Sequence, residues 1–323
     1  MTSVAAAVEA NGLVKTYPKG VRALDGLSIA VRPGEVFALL GPNGAGKSTT
    51  IKILTTLTRP DAGTVTVAGH DALAHPERVR RVIGVVAQRS GADPAATGRE
   101  NLMLHGRLYG LPSRQLRKRV AALLDRFALT EVARRPVSTY SGGTQRRLDV
   151  AIGLMNRPHV LFLDEPTAGL DPQARTAMWA EIGRLAADEE LAIVLTTHHL
   201  EEADRLARRV SIVDKGRIVV TGSPDQLKAE LRGDAVHIEL RDEPSDGLAA
   251  RALEAVDGVR EITVAGRRLS ARADDGAAAV PHALAALERA GVPAATVTVA
   301  RPSLDDVYLR YAGRTFEVEG ADR

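Results

Sequence analysis

Apolar residues in this chain fall into short runs separated by turn residues and by stretches of helical periodicity. Glu35-Val36-Phe37-Ala38-Leu39-Leu40 predicts a buried strand, and the runs at 160–163 and 191–195 are of similar length. Thr64-Val65-Thr66-Val67 alternates polar with apolar, as a half-buried strand does. Ile83-Gly84-Val85-Val86 predicts another strand, just before Gln88. From 97 to 132 the spacing turns helical: Leu102, Leu104, Leu108, Leu116, Val120, Leu123, Leu124 and Phe127 suit packed helices, divided at Pro112. The charge run at 114–119 fits a solvated helix face. Further helices are expected after Ser141, over 172–187 and over 200–208, with a hairpin at 210–220 turning on Asp214-Lys215-Gly216-Arg217. Near the N-terminus, 4–8 and 27–31 are short apolar strands with a turn at Tyr17-Pro18-Lys19-Gly20. Strands alternating with helices predict an α/β fold with a parallel core sheet. The N-terminal strands add an antiparallel part.

The pattern changes near Gly233. Strands at 235–240, 259–264, 269–273 and 295–300 interleave with helices at 246–256 and 277–290. This β-α-β-β-α-β order predicts a small ferredoxin-like domain. Ser303 and Asp306 then have capping-box spacing for a short terminal helix. The expected domains are 1–232 and 233–316, with 317–323 as a tail.

Composition narrows the function classes. The chain has 323 residues, 43 Lys and Arg against 40 Asp and Glu, and no cysteine. Disulfides and thiolate metal sites are excluded, and a reducing compartment fits. The mild basicity comes without a Lys/Arg block interleaved with aromatics, so nucleic acid is not the expected partner. No apolar run approaches the ~20 residues of a membrane span, and the N-terminus lacks the basic-then-apolar pattern of a signal peptide. A cytoplasmic chain is expected, with any membrane role borrowed from a partner.

The strongest chemical signal is Gly41-Pro42-Asn43-Gly44-Ala45-Gly46-Lys47-Ser48-Thr49, which fits G-x-x-x-x-G-K-[ST] between a predicted strand and a predicted helix. Its glycines let successive N–H groups point at phosphate oxygens, and the helix N-terminus adds partial positive charge. Lys47 can reach the β- and γ-phosphates, and the Ser48 hydroxyl can bind Mg²⁺. Asp164 and Glu165 end the apolar strand at 160–163, where ligands of α/β sheets collect. An Asp there can hold Mg²⁺, and an adjacent carboxylate can orient or deprotonate the attacking water. The alternative, an acidic pair that caps the following turn, loses weight beside a P-loop.

These motifs make the chain resemble the ATP-binding subunit of an ABC transporter. Gly41 to Thr49 matches Walker A, Gln88 the Q-loop, and Tyr140-Ser141-Gly142-Gly143-Thr144-Gln145 resembles the family signature. Leu161-Phe162-Leu163-Asp164-Glu165-Pro166 matches Walker B, Ala168-Gly169-Leu170-Asp171 the D-loop, and His198 the switch histidine. The resemblance implies an ATPase in which two copies pack head to tail around two ATP molecules. Each site would join one Walker A to the Ser141, Gly142 and Gly143 turn of the other copy. It further implies Glu165 as general base, His198 at the γ-phosphate, Gln88 at Mg²⁺ and the attacking water, Tyr17 stacked on adenine, and Asp171 at the shared nucleotide site. Tyr17 as a surface turn residue, and His199 in place of His198, are the competing assignments. The signature departs from the usual Leu-Ser-Gly-Gly-Gln at Tyr140 and Thr144.

The terminal stretch Pro302-Ser303-Leu304-Asp305-Asp306-Val307-Tyr308-Leu309 is similar to that of the daunorubicin-resistance group of these ATPases, and Arg146-Arg147-Leu148-Asp149 fits the same group. That resemblance implies a separate ABC-2-type permease, export of a drug, antibiotic or lipid-like substrate, and a peripheral position on the cytoplasmic face of the membrane. The C-terminal domain is then a dimerisation or stabilising module rather than a drug sensor. The competing class is a soluble, non-transport ABC ATPase acting on ribosomes or DNA. It fits less well, because the chain has one nucleotide domain and no long coiled-coil insertion. An ATP-binding regulator without turnover is disfavoured by Glu165 and His198, and an importer subunit by the ferredoxin-like tail.

Overall fold

The computed structural model describes residues 6–312, apart from 189, 190, 232, 245 and 246. The chain forms two compact units that divide between Gly222 and Ser223. The helix Pro224–Ala229 therefore goes with the second unit. Residues 313–323, with the expected tail, lie outside the described residues.

In the first unit a six-stranded sheet runs in the spatial order Arg217–Gly222, Arg209–Asp214, Val36–Leu40, Ala192–Thr197, Val160–Asp164, Ile83–Val86. All its pairings are parallel except the edge hairpin 209–222. Every residue of Val36–Leu40 and Ala192–Thr197 is buried. A parallel strand covered on both faces needs such a continuous apolar run, which is why these segments do not alternate.

A second sheet, antiparallel, has the order Val21–Val31, Val8–Tyr17, Ala62–Val67, His70–Asp71. The first two are longer than the short N-terminal strands expected. They persist through register shifts, one of them spanning Gly12 at φ +62°, and these shifts break the alternation that marks a strand. Leu13, Leu24 and Leu27 from this sheet share one buried cluster with Phe37 and Leu39 of the core sheet. Ile51, Ile53 and Leu54 join the cluster from the helix Lys47–Leu54, which is thereby fixed between the two sheets.

Helices Gly98–Leu108, Ser113–Arg126 and Gly142–Gly153 make a helical region, with the expected division at Pro112. Thr97 and Glu100 form a capping box at the start of the first. Gly106 allows the close approach of these helices, since a Cβ there would meet Leu116 at 2.1 Å.

The second unit holds an antiparallel sheet in the order Val259–Ala265, Arg268–Ala273, Asp234–Leu240, Ala294–Ala300. Helices Leu248–Glu254 and Gly276–Arg289 supply the crossovers, so the β-α-β-β-α-β order is ferredoxin-like. Their Leu253, Ala279, Ala283 and Leu287 pack on Val236, Ile238, Leu269 and Ala271. At the terminal helix Leu304–Ala312 the capping box is reciprocal. The Ser303 amide donates to the Asp306 carboxylate at 2.8 Å, and the Asp306 amide to the Ser303 hydroxyl at 3.3 Å.

Candidate active site

Four neighbouring parallel strands deliver the predicted residues to one edge of the core sheet. Gly41 follows Val36–Leu40, His198 follows Ala192–Thr197, Glu165 follows Val160–Asp164, and Gln88 lies two residues beyond Ile83–Val86. These strands are consecutive in the sheet and parallel, so their carboxyl ends line up about 4.8 Å apart.

The P-loop is held by close packing. A Cβ on Gly41 would lie 2.4 Å from the Val213 carbonyl oxygen, and one on Gly46 would lie 2.5 Å from that of Ala23. Gly46 also has φ +109°, where a side chain strains the backbone. Lys47 is buried, and its ammonium donates to the carbonyls of Gly41 at 2.7 Å and Pro42 at 3.1 Å. It stands 3.5 Å from Glu165 Oε1. Burial lowers the Lys47 pKa, and Glu165 opposes that shift. The Ser48 hydroxyl donates to Asp164 Oδ1 at 3.3 Å, and Thr196 donates to the same oxygen at 2.5 Å. Ala45 is buried in the loop, whereas Asn43 and Gly44 are exposed at its tip and Thr49 is half-buried.

Glu165 is the centre of the group. Its backbone is left-handed at φ +49°, an unusual conformation for a non-glycine residue, and its amide donates to Thr196. Gln88 Nε2 donates to Glu165 Oε2 at 3.0 Å, and His198 Nδ1 lies 3.1 Å from Oε1. His198 lowers the carboxyl pKa, burial opposes it, and Lys47 adds a further lowering. The net result is a carboxylate that stays ionised at neutral pH inside a largely buried pocket. The His199 ring lies 4.2 Å from that of His198, tilted by 41°, but burial and the neighbouring His198 push its pKa down to about 4, so it is neutral at pH 7. Between the two histidines, it is His198 that meets Glu165.

Two groups stand apart. Tyr17 ends its strand opposite Val21, half-buried, with the Lys15 ammonium 5.9 Å from its ring centroid. Its hairpin approaches the P-loop at Ala23 and Leu24, which lie against Gly46. The signature residues line a separate cleft with Asp171 and Ala174. Ser141 caps the helix Gly142–Gly153 by accepting from the Thr144 amide at 3.3 Å. Gly143 lets the neighbouring helix approach, since a Cβ there would meet that of Ala174 at 2.9 Å. The Asp171 carboxylate accepts from the Ala174 amide at 2.9 Å.

Both departures in the signature have local partners. The Tyr140 hydroxyl donates to the Val132 carbonyl at 2.7 Å, and the ring lies against Gly98, where a Cβ would meet the hydroxyl at 2.4 Å. Thr144 shares a 2.9 Å hydrogen bond with Ser141 and accepts from Arg147 at 3.3 Å. Tyr140→Phe should therefore lower stability by about 1 kcal/mol, read by urea denaturation, and leave nucleotide binding unchanged.

The residue that sequence reasoning missed is Arg146. It is buried, and its guanidinium donates to four carbonyls: Pro166 at 2.7 Å, Ala87 at 2.6 Å, Asp164 at 3.0 Å and Glu165 at 3.0 Å. One side chain from the signature helix thus ties the strand end that bears Glu165 to the loop that bears Gln88. Asp149, one turn on, accepts from Ser90 at 2.7 Å and adds a second tie to that loop.

Comparison with known proteins agrees with this geometry. The ABC transporter family model matches residues 24–168, and the model of the C-terminal domain of DrrA1-3-like ATP-binding proteins matches 222–312. The daunorubicin resistance ATP-binding protein DrrA3 of Streptomyces coeruleorubidus is 44% identical over 315 residues, 98% of each chain. The Nod factor export ATP-binding protein I of Ralstonia nicotianae is 41% identical over 304 residues, 94% of this chain and 92% of its own. Among solved structures, cbiO1 of Clostridium perfringens, part of the ABC transporter complex cbiONQ, aligns with TM-score 0.65 and 27% identity over 70% of this chain and 92% of its own. A dimeric ATP-binding cassette in a post-hydrolysis state with ADP and Pi aligns with TM-score 0.62 and 26% identity over 67% of this chain and 98% of its own.

Proposed function

The chain belongs to the ABC transporter family of ATP-binding subunits, with a C-terminal domain of the DrrA type, and from that premise we propose that it powers export through a separate ABC-2-type permease. It is an ATPase of that family; the cargo class we assign is a drug, antibiotic or lipid-like molecule. The relatives that match along nearly the whole chain are named for daunorubicin resistance and Nod factor export, and these names support an exporter.

The observation that carries the catalytic reading is Glu165 in contact with Lys47, Gln88 and His198 at the ends of adjacent strands. In this reading the P-loop amides and Lys47 hold the β- and γ-phosphates of ATP. Glu165 takes the proton of the attacking water, Gln88 orients that water, and His198 aligns it against the γ-phosphate. Mg²⁺ fits the donor set, since Ser48 and Asp164 offer hard oxygen atoms side by side and Gln88 offers an amide oxygen nearby. Among the described residues no group of three His, Asp or Glu could hold a metal alone. This suits an ion that shares its ligands with substrate phosphates. The bound ion would neutralise phosphate charge as the γ-phosphoryl leaves.

Ser141 and Gly143 of the signature turn line a cleft separate from the P-loop, which supports a site completed by a second copy. The dimeric cassette among the similar structures supports the same arrangement. Tyr17 would then stack on adenine and Asp171 would lie at the shared boundary. The first unit, to Gly222, would carry the ATPase, and the second, from Ser223, would support dimerisation or stability.

No helix among the described residues is long and apolar enough to cross a membrane. In this reading the chain works on its permease at the cytoplasmic face. A tagged chain purified from gently solubilised native membranes should bring a stoichiometric polytopic membrane protein, identified by mass spectrometry. Recovery with ribosomal or DNA-associated proteins in the soluble fraction would instead favour the non-transport reading.

A further inference from the structure

From Asn101 to Leu124 the chain contains no Asp or Glu, but it contains Arg107, Arg114, Arg117, Lys118 and Arg119. The chain as a whole nearly balances its charges, with 43 basic residues against 40 acidic ones, so this stretch is a local concentration. The structure gathers it at the tip of a helical hairpin. Helix Gly98–Leu108 ends there, helix Ser113–Arg126 begins there, and Arg114, Arg117 and Lys118 are exposed on the opening turns of the second. Its apolar face, Leu116, Val120, Leu123 and Leu124, is spent on the core. Arg107, Arg114, Arg117, Lys118 and Arg157 form no ion pair among the described residues. The solvated helix face read from the sequence alone thus presents a positive field from Arg114, Arg117 and Lys118, which are exposed and form no ion pair among the described residues.

Two further observations say what that field meets. The turn at the tip exposes large apolar side chains, with Leu108 73% and Tyr109 42% accessible. Beside it lies a cleft of about 550 Å³ lined by the apolar Leu111, Ala122 and Met155 and by the polar Gln115, Lys118 and Arg157. A cleft lined by apolar, cationic and hydrogen-bonding groups together suits a phosphodiester attached to a hydrocarbon. Exposed leucine and tyrosine beside unpaired Lys and Arg are the combination that binds an anionic bilayer surface. Nucleic acid would call for stacking aromatics along the basic track, and Tyr109 is the only Phe, Tyr or Trp between 101 and 124.

We propose that the hairpin tip formed by Leu108, Tyr109, Arg114, Arg117 and Lys118 binds anionic phospholipid at the membrane surface, with a lipid phosphate seated in the adjacent cleft that Lys118 and Arg157 line. This contact is made by the chain itself and does not depend on a permease. Its failure would leave the permease pull-down untouched, and the reverse also holds.

The test is co-sedimentation of the purified full chain with large vesicles of phosphatidylglycerol and phosphatidylcholine, or of phosphatidylcholine alone, at low and high salt. Binding should require the anionic lipid and weaken as salt screens the surface. The triple variant Arg114→Gln, Arg117→Gln, Lys118→Gln should lose about a hundredfold in partitioning, at roughly fivefold per basic residue. Leu108→Ser should lose part of the binding that remains at high salt. ATPase activity of both variants should match wild type, which shows that they fold. Equal binding to both vesicle types, or wild-type partitioning by the triple variant, would overturn the proposal. So would release of the protein by millimolar inorganic phosphate, which would point to a free-phosphate site. Binding of RNA or DNA oligonucleotides in place of vesicles, lost in the same variant, would assign the patch to nucleic acid.

Discussion

Glu165→Gln should bind ATP about as well as wild type and hydrolyse it at most one-hundredth as fast, roughly the factor a positioned general base supplies. The substitution is nearly isosteric. A glutamine at 165 can still accept the hydrogen bond that Gln88 gives at 3.0 Å, so the pocket keeps its shape. What goes is the negative charge between Lys47 and His198, 3.5 and 3.1 Å away, and the ability to take a proton from water. Wild-type Glu165 is ionised at neutral pH because His198 and Lys47 hold its pKa down against burial. It is therefore a competent acceptor without prior deprotonation. Loss of turnover with binding intact should leave ATP holding two copies together. Phosphate release and size-exclusion chromatography with and without ATP read both effects. Turnover at the wild-type rate would remove Glu165 from the role of base.

How much of this was legible depended on how local each feature is. The P-loop could be read because its glycines, Lys47 and Ser48 fall within nine residues and the flanking strand and helix announce themselves in the same window. The buried strands 36–40, 160–164 and 192–197 could be read because a parallel sheet covered on both faces leaves unbroken apolar runs. Gln88 is different. It lies 77 residues from Glu165, and nothing in its neighbourhood distinguishes it from any glutamine that follows a strand. Only strand order, with Ile83–Val86 beside Val160–Asp164, brings the two together. The N-terminal hairpin was underestimated for a related reason: its bulges put consecutive residues out of the two-residue period on which strand recognition rests. Arg146 was the least legible. Its sequence neighbours suggested a family resemblance and nothing more. Its four carbonyl partners come from two segments, at 87 and at 164–166, that meet only in the fold.

Arg146→Met is for that reason expected to be among the most damaging single changes outside the reacting groups. The side chains are of similar length, so the loss is mainly of donors. The carbonyls of Ala87, Asp164, Glu165 and Pro166 would each lose a charge-assisted hydrogen bond in a place where Arg146 itself is only 7% exposed. An unsatisfied buried acceptor costs about 1–3 kcal/mol, and local relaxation recovers part of the sum. A net loss of about 4 kcal/mol is reasonable, which for a unit of this size lowers Tm by roughly 8–16 °C. Asp149 adds to the cost. Burial already raises its pKa and Arg146, 4.0 Å away, is one of the groups opposing that rise. Below the destabilised Tm the variant should still fold and bind ATP through its intact P-loop. Turnover should fall at least tenfold, because the left-handed backbone at Glu165 and the loop at Gln88 would no longer be held to one another. Arg146→Lys separates the two effects. A single ammonium can reach one or two of the four carbonyls, so stability should recover in part while kcat stays low. If Arg146→Met lost stability but kept full kcat at a temperature where it is folded, Arg146 would be a structural staple without influence on the carboxylate.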